Sequence, residues 1–286
     1  MTMSTPLQTH AAPNAAELVL RGHDPHSVRL AFNDIAGGLA MWRLWVRLGW
    51  NDILQRYRRS LLGPFWLTAS MAIMVAMLGF VYSKIFSIPI EEFIPFLCVG
   101  LLIWGFVSTI ITEAGTLFTG SESYIKQIRL PYSLYVYRFI WSKVIIFAHN
   151  FVIYIGVLIF FWTTPGWAGL LAIPGFALLC LNGALTTLYI GMIAARFRDI
   201  PPIIASFIQI VFFVTPIMFK PEVLKSHEYL VQINPFQHLI EVVRAPLLGA
   251  VPTTLNYVVV LAVTALNLVV ALSFFARFRV RISYWI

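Results

Sequence analysis

From Phe65 to Ser83 the chain runs without a charged residue, and this run follows closely on Arg56, Arg58 and Arg59. It is about as long as a helix needs to cross roughly 30 Å of hydrocarbon at ~1.5 Å per residue. Pro64 suits the first turn of such a helix, where its missing N–H leaves nothing unsatisfied. Five more apolar runs follow. The sequence therefore predicts an all-α membrane protein with six transmembrane helices, at about 65–83, 93–112, 144–162, 168–195, 203–219 and 255–276. Only 11% of the residues are charged, against about a quarter in soluble domains, so a soluble fold is excluded.

Charge sets the predicted orientation. Seven Lys/Arg precede the first run, four lie between the second and third, two between the fourth and fifth, and three follow the sixth, sixteen of the twenty in all. The positive-inside rule puts these on the cytoplasmic face with both termini, leaving Lys84, Lys220, Lys225 and Arg244 outside. The net charge of +8 then meets anionic lipid headgroups rather than nucleic acid.

Residues 1–35, rich in Ala, Pro, His and Thr, read as a flexible cytoplasmic tail, and residues 277–286 as a second tail. His10, His23 and His26 are spaced too irregularly for a metal site, and Cys98 and Cys180 lie within apolar runs, so neither a metal nor a disulfide is expected. Residues 36–62 are amphipathic at helical period. Trp42, Trp45, Val46, Gly49, Trp50, Ile53 and Tyr57 share one side, and Arg43, Arg47, Asn51, Gln55 and Arg58 the other. That pattern predicts a helix lying in the inner interface, with Arg43, Arg47, Arg58 and Arg59 at lipid headgroup level.

The predicted spans hold no acidic residue or histidine chain of the kind an ion-coupled transporter uses at mid-membrane. His149, Asn150, Asn182, Gln209 and Asn267 are their strongly polar residues, each expected to hydrogen-bond between helices. A phosphate-binding loop, a nucleophile with its base and a metal cluster are also absent from the sequence, so no catalytic residue is assigned. Energy for transport then has to come from another polypeptide. The loop from Glu113 to Lys143 offers it a contact, because Leu117–Ile128 reads as a short helix interrupted by Gly120, with Ser121 as a cap. An ordinary connecting loop explains that segment equally well.

Beyond the fifth run, Asn234-Pro235 starts a short helix whose apolar face carries Phe236, Leu239, Ile240, Val243 and Leu247. It is too short to span, so it is expected either in the outer interface or dipping into the bundle as a gate.

Five segments occur in order: RYRRSLLGPFW at Arg56–Trp66, IKQIRLPYSLYVYR at Ile125–Arg138, RFRDIP at Arg196–Pro201, TPIMF at Thr215–Phe219 and NPFQHLIEVVR at Asn234–Arg244. Together they resemble the membrane subunit of bacterial ABC exporters for polysaccharides, the O-antigen, capsule and teichoic-acid permeases. The resemblance implies a homodimer with two copies of a separate nucleotide-binding subunit, which would carry ATP and Mg, while this chain has no cofactor of its own. It implies that Ser121, Glu122, Tyr124, Ile125 and Lys126 form the helix that couples to the ATPase. It also implies a channel along the first and fifth spans of both protomers. There Trp66, Phe80, Tyr82, Phe207, Phe212 and Phe213 would offer flat apolar faces to sugar rings, unless they meet lipid or pack. The gate would be the helix with Phe236, Leu239, Ile240 and Val243, and a lipid-linked glycan would enter past Arg43, Arg47, Arg58 and Arg59.

Two rival readings stand beside export of O-antigen across the inner membrane. One is an ABC exporter subunit for another lipid or a drug. The other is a membrane-embedded glycosyl or acyl transferase using Glu222, His227, Glu228, His238 and Glu241.

Overall fold

A computed structural model describes residues 25–58, 65–221 and 229–286. These form α1 (Pro25–Ala40), α2 (Trp42–Tyr57), α3 (Phe65–Phe86), α4 (Ile90–Glu113), α5 (Glu122–Gln127), α6 (Tyr132–Phe161), α7 (Ala172–Arg196), α8 (Ile200–Val214), α9 (Tyr229–Ile233), α10 (Pro235–Leu247), α11 (Thr254–Phe278) and α12 (Ile282–Trp285), with no strand among the described residues. In hydrocarbon every backbone polar group needs an internal partner, and only helices satisfy it within one segment. Five of the described helical stretches are long and apolar enough to cross a membrane, and α8 is a sixth, shorter apolar helix. The protein is an all-α, multi-pass membrane protein.

The core is α4. Its residues Phe93, Leu97–Ile103, Phe106 and Ile110 are buried, because α3, α6, α7, α8 and α10 all pack against it. By contrast α3 and α11 expose long apolar side chains on their flanks, such as Ile73, Met77, Leu261 and Val269. A helix that is apolar on every side but half exposed is stable only where the solvent is itself apolar.

Several boundaries differ from those the sequence predicts. The third transmembrane helix begins at Tyr132 rather than Val144, so α6 carries an extra segment of about three turns that receives α1 and α2. α1 covers residues that composition assigns to a flexible tail, and Asp34 shows why it is ordered. Its carboxylate accepts the Tyr132 and Ser133 amides at 3.1 and 3.0 Å, and Ser133 Oγ donates to the Asp34 carbonyl at 2.7 Å. Those amides belong to the first turn of α6, whose own cap position, Pro131, supplies no side-chain acceptor. A carboxylate nearly a hundred residues away caps the helix instead, which local composition does not reveal.

The amphipathic segment divides at Met41. α2 rests on α6 through buried Gly49 and Ile53, Trp45 meets Trp141 edge-on at 6.1 Å, and Asp52 receives Arg138 bidentately at 2.7 and 2.5 Å. The face with the tryptophans is thus partly a packing face, while Trp42 and Trp50 remain exposed.

The fourth span is continuous through Pro174 and Gly175. Pro174 falls in the first turn of α7, where no hydrogen bond is lost. Gly175 touches α10, since a Cβ there would lie 2.4 Å from the Val242 carbonyl oxygen. The fifth helix ends at Val214 rather than Phe219, and the TPIMF segment leaves it in extended and bent backbone.

Two substitutions check this packing. Asp34→Ala should destabilise the α1–α6 junction by about 1–2 kcal/mol, seen as a lower thermal unfolding midpoint in detergent and easier proteolysis before Ala40. Gly175→Ala should cost about 1–3 kcal/mol, because α7 and α10 must separate to admit the methyl. An unchanged midpoint would refute either contact.

Candidate functional site

Functional groups collect at the two ends of the bundle. The first end carries α1, α2, α5 and α12 together with most of the arginines. The segment linking α4 to α6 is two short 3-10 turns, Ala114–Thr116 and Thr119–Ser121, followed by α5, rather than one helix from Leu117. Ser121 stands at the cap position but is buried and makes no side-chain capping bond, so that expectation fails. Glu122, Tyr124 and Lys126 are exposed, while Ile125 packs inward on the core. Lys126 donates to Glu122 at 2.6 Å one turn away. This hydrogen bond and charge hold the Glu122 carboxyl below the ordinary glutamate range.

α5 is also tied to the rest of this end. The Arg138 guanidinium lies 5.4 Å from the centre of the Tyr124 ring while it grips Asp52 of α2. One side chain of α6 therefore links α5 to α2, a connection with no local signature in the sequence. α12 packs against α5 from the other side. Arg43, Arg47 and Arg58 are exposed on α2 and the turn that ends it, and Arg59 lies outside the described residues.

The six aromatics singled out for a channel do not form one site within the chain. Trp66 and Phe80 are exposed on α3, and Phe207 and Phe213 on α8, two helices that each pack on α4. Tyr82 stacks on Phe86 at 5.7 Å, and Phe212 packs on Trp104 at 5.7 Å, so these two make packing contacts.

At the opposite end α10 is buried among α4, α7 and α11. Asn234 caps it, its Oδ1 accepting the Phe236 amide at 3.0 Å. Leu239, Ile240 and Val243 are buried, and Phe236 is half-buried against Trp104. Sequence reasoning missed the role of Arg244, counted there among four outward-facing cations. It is 1% exposed, donates to Glu241 at 2.7 Å and to the Pro216 carbonyl at 2.8 Å, and lies 4.3 Å over the Phe96 ring. A buried guanidinium is stable only with such partners, and they join α10, α4 and the TPIMF segment. Its position three residues after Glu241 on a short helix was the available signal.

The transferase set does not assemble among the described residues. Glu241 is held by Arg244. His238 is buried, with Nε2 donating to the Gln232 carbonyl at 2.8 Å and Nδ1 meeting the Asn256 amide oxygen at 2.7 Å. Glu222, His227 and Glu228 lie outside the described residues.

Of the five polar residues of the spans, Asn150, Asn182 and Asn267 pair between helices, while Gln209 is exposed. Asn182 of α7 donates to Thr264 of α11 at 2.7 Å and accepts from Asn267 at 2.9 Å, and Thr68 donates to Asn150 at 3.3 Å. His149 is satisfied within its own helix by the Ile145 carbonyl at 2.9 Å.

The described residues thus present an exposed short helix at a basic end and a buried helix at the other, with no assembled catalytic set among them. Residues 43–248, well over half of the chain, match the family described as ABC-2 type transporter. The chain belongs to that family. It is also 23% identical over 241 residues to an O-antigen export system permease protein RfbA from Klebsiella pneumoniae, covering 82% of this chain and 91% of that one. A protein of the same name from Myxococcus xanthus is 22% identical over 204 residues, covering 68% and 76%. The ABC-2 match takes in α2 through α10, and thus α2 and α5 at one end and α10 at the other.

The Glu122–Lys126 pair can be tested by titration. Because the folded carboxyl is held below its unfolded value, the pair's contribution is present above the unfolded pKa and lost as pH falls through the folded one. NMR of side-chain-labelled Glu122 should show a midpoint below the ordinary glutamate value, restored in Lys126→Met. Identical midpoints in both proteins would refute the pairing.

Proposed function

We propose that this ABC-2 transporter chain is the channel-forming subunit of an ATP-driven exporter that carries lipid-linked polysaccharide, O-antigen foremost, across the bacterial inner membrane. The observation that carries the substrate is the match to permeases named for O-antigen export over 82% of this chain. The excess of Lys/Arg at the α2–α5 end supports placing that end, with both termini, on the cytoplasmic side.

Two copies of the chain form the conduit, and two copies of a nucleotide-binding subunit dock on the cytoplasmic end, where they bind ATP and Mg. Glu122, Tyr124 and Lys126 make the contact, while buried Ser121 and inward-packed Ile125 seat the helix behind them. Exposure of Glu122, Tyr124 and Lys126 supports it, because an acidic, an aromatic and a basic side chain within five positions suit a polar cleft. ATP-driven closure of the partner pushes on α5, and the Tyr124–Arg138–Asp52 link carries the push into α6 and α2. The protomers then move as rigid bodies.

Trp66, Phe80, Phe207 and Phe213 face the glycan, since flat rings hold sugars weakly enough to let a polymer slide. α10 is the outer gate, held shut by Phe236, Leu239, Ile240 and Val243. Arg43, Arg47, Arg58 and Arg59 attract the anionic headgroup of the carrier lipid to the inner surface.

Co-expression with ABC-type ATPase subunits from the same genome tests the reading. Glu122→Arg combined with Lys126→Glu should leave the subunits copurifying and hydrolysing ATP while glycan export falls at least about tenfold, a loss of ~1.4 kcal/mol of coupling. Failure of any ATPase to copurify with the wild-type chain would overturn it.

A further inference from the structure

A cavity of about 700 Å³ lies inside the chain, between α3, α4 and α6. Its walls differ from end to end. At the cytoplasmic end stand Arg56, Glu113 and Lys143. Toward the middle of the membrane the wall becomes Leu78, Leu101 and Phe106, closed by Phe212 of α8. Glu113 and Leu101 are twelve positions apart on α4, so the cavity runs about 18 Å along the helix.

The charged end carries a surplus. Lys143, 3% exposed, and Arg56 both approach the same oxygen of one carboxylate, Glu113 Oε2, and the lining holds no other acid. Two cations on one anion leave a net positive charge at the edge of hydrocarbon, where a second anion would be stabilised. Arg56 and Glu113 are 48% and 39% exposed, so this end can be reached. Met74, on the α3 wall, is exposed, which leaves the apolar part open along the side of α3 to a lipid chain.

The geometry points to a binding site for a phosphate-headed lipid within each protomer, its headgroup between Arg56 and Lys143 and one apolar chain along α4. The site takes Arg56 from α2 and does not include Arg43, Arg47 or Arg58. It depends on charge and shape alone and holds whatever polymer the transporter moves. Two sources supply that chemistry, an isoprenyl phosphate carrier and an ordinary anionic phospholipid.

Gly105 offers the means to test it. It lines the cavity, and a Cβ added there meets nothing within 4 Å. Gly105→Ala is therefore a benign control, whereas Gly105→Leu places a side chain in the path of the lipid chain. The experiment is native mass spectrometry of the purified full chain titrated with farnesyl phosphate, dioleoyl phosphatidylglycerol and dioleoyl phosphatidylcholine. Wild type and Gly105→Ala should retain an anionic lipid at least about tenfold more tightly than phosphatidylcholine, and Gly105→Leu and Arg56→Gln should each lose about that factor. Should Gly105→Leu not fold, Arg56→Gln decides alone, since that side chain is half exposed. Farnesyl phosphate bound in preference to phosphatidylglycerol assigns the site to a carrier lipid, and equal binding assigns it to membrane phospholipid. Absence of an anionic preference in the wild type, or wild-type retention by Arg56→Gln or by folded Gly105→Leu, overturns the site.

Discussion

A charge enclosed in an apolar bundle has to be neutralised by a partner nearby, and this requirement decides where the helices of the protein meet. Lys143, almost wholly enclosed, is paired to Glu113, which joins α6 to α4, and Arg56 joins the end of α2 to the same carboxylate. At the other end the buried Arg244 gathers Glu241, the Pro216 carbonyl and the Phe96 face. Helices in hydrocarbon gain little from apolar contact with one another, because lipid tails are equally good neighbours. Pairs like these, with close approaches such as Gly175 on Val242, give the bundle a single arrangement.

The same economy of polar contacts organises the basic end. Asp34 caps α6, Asp52 clamps Arg138, and Arg138 lies over Tyr124, so α1, α2 and α5 are all referred to the first turns of one helix. An end built this way moves as a unit. A force applied at α5 is not absorbed by a loose loop, since two short 3-10 turns and a bidentate ion pair stand behind it. That stiffness fits the proposed drive by a separate ATPase.

The transmembrane runs were legible because hydrocarbon imposes one strong rule, and the positive-inside bias and the ABC-2 motifs were legible because they are local. Less visible was everything that depends on a distant partner. Asp34 looked like part of a tail and Arg244 like one of a few outer-side cations, yet each is explained by a residue about a hundred or more positions away, Ser133 for Asp34 and Phe96 for Arg244. The aromatics chosen for the channel divide similarly. Trp66, Phe80, Phe207 and Phe213 lie on exposed flanks, whereas Tyr82 and Phe212 are engaged by Phe86 and Trp104, a difference that composition does not record.

By itself the sequence determined that the chain is helical and embedded in a membrane, because burial of backbone and charge in hydrocarbon is costly at every position alike. Only the tertiary structure decided which helix forms the core, which charges are paired and buried, and that α2 and α5 share an anchor on α6. Those outcomes depend on side chains meeting across helices, and no period or motif within one segment encodes the meeting.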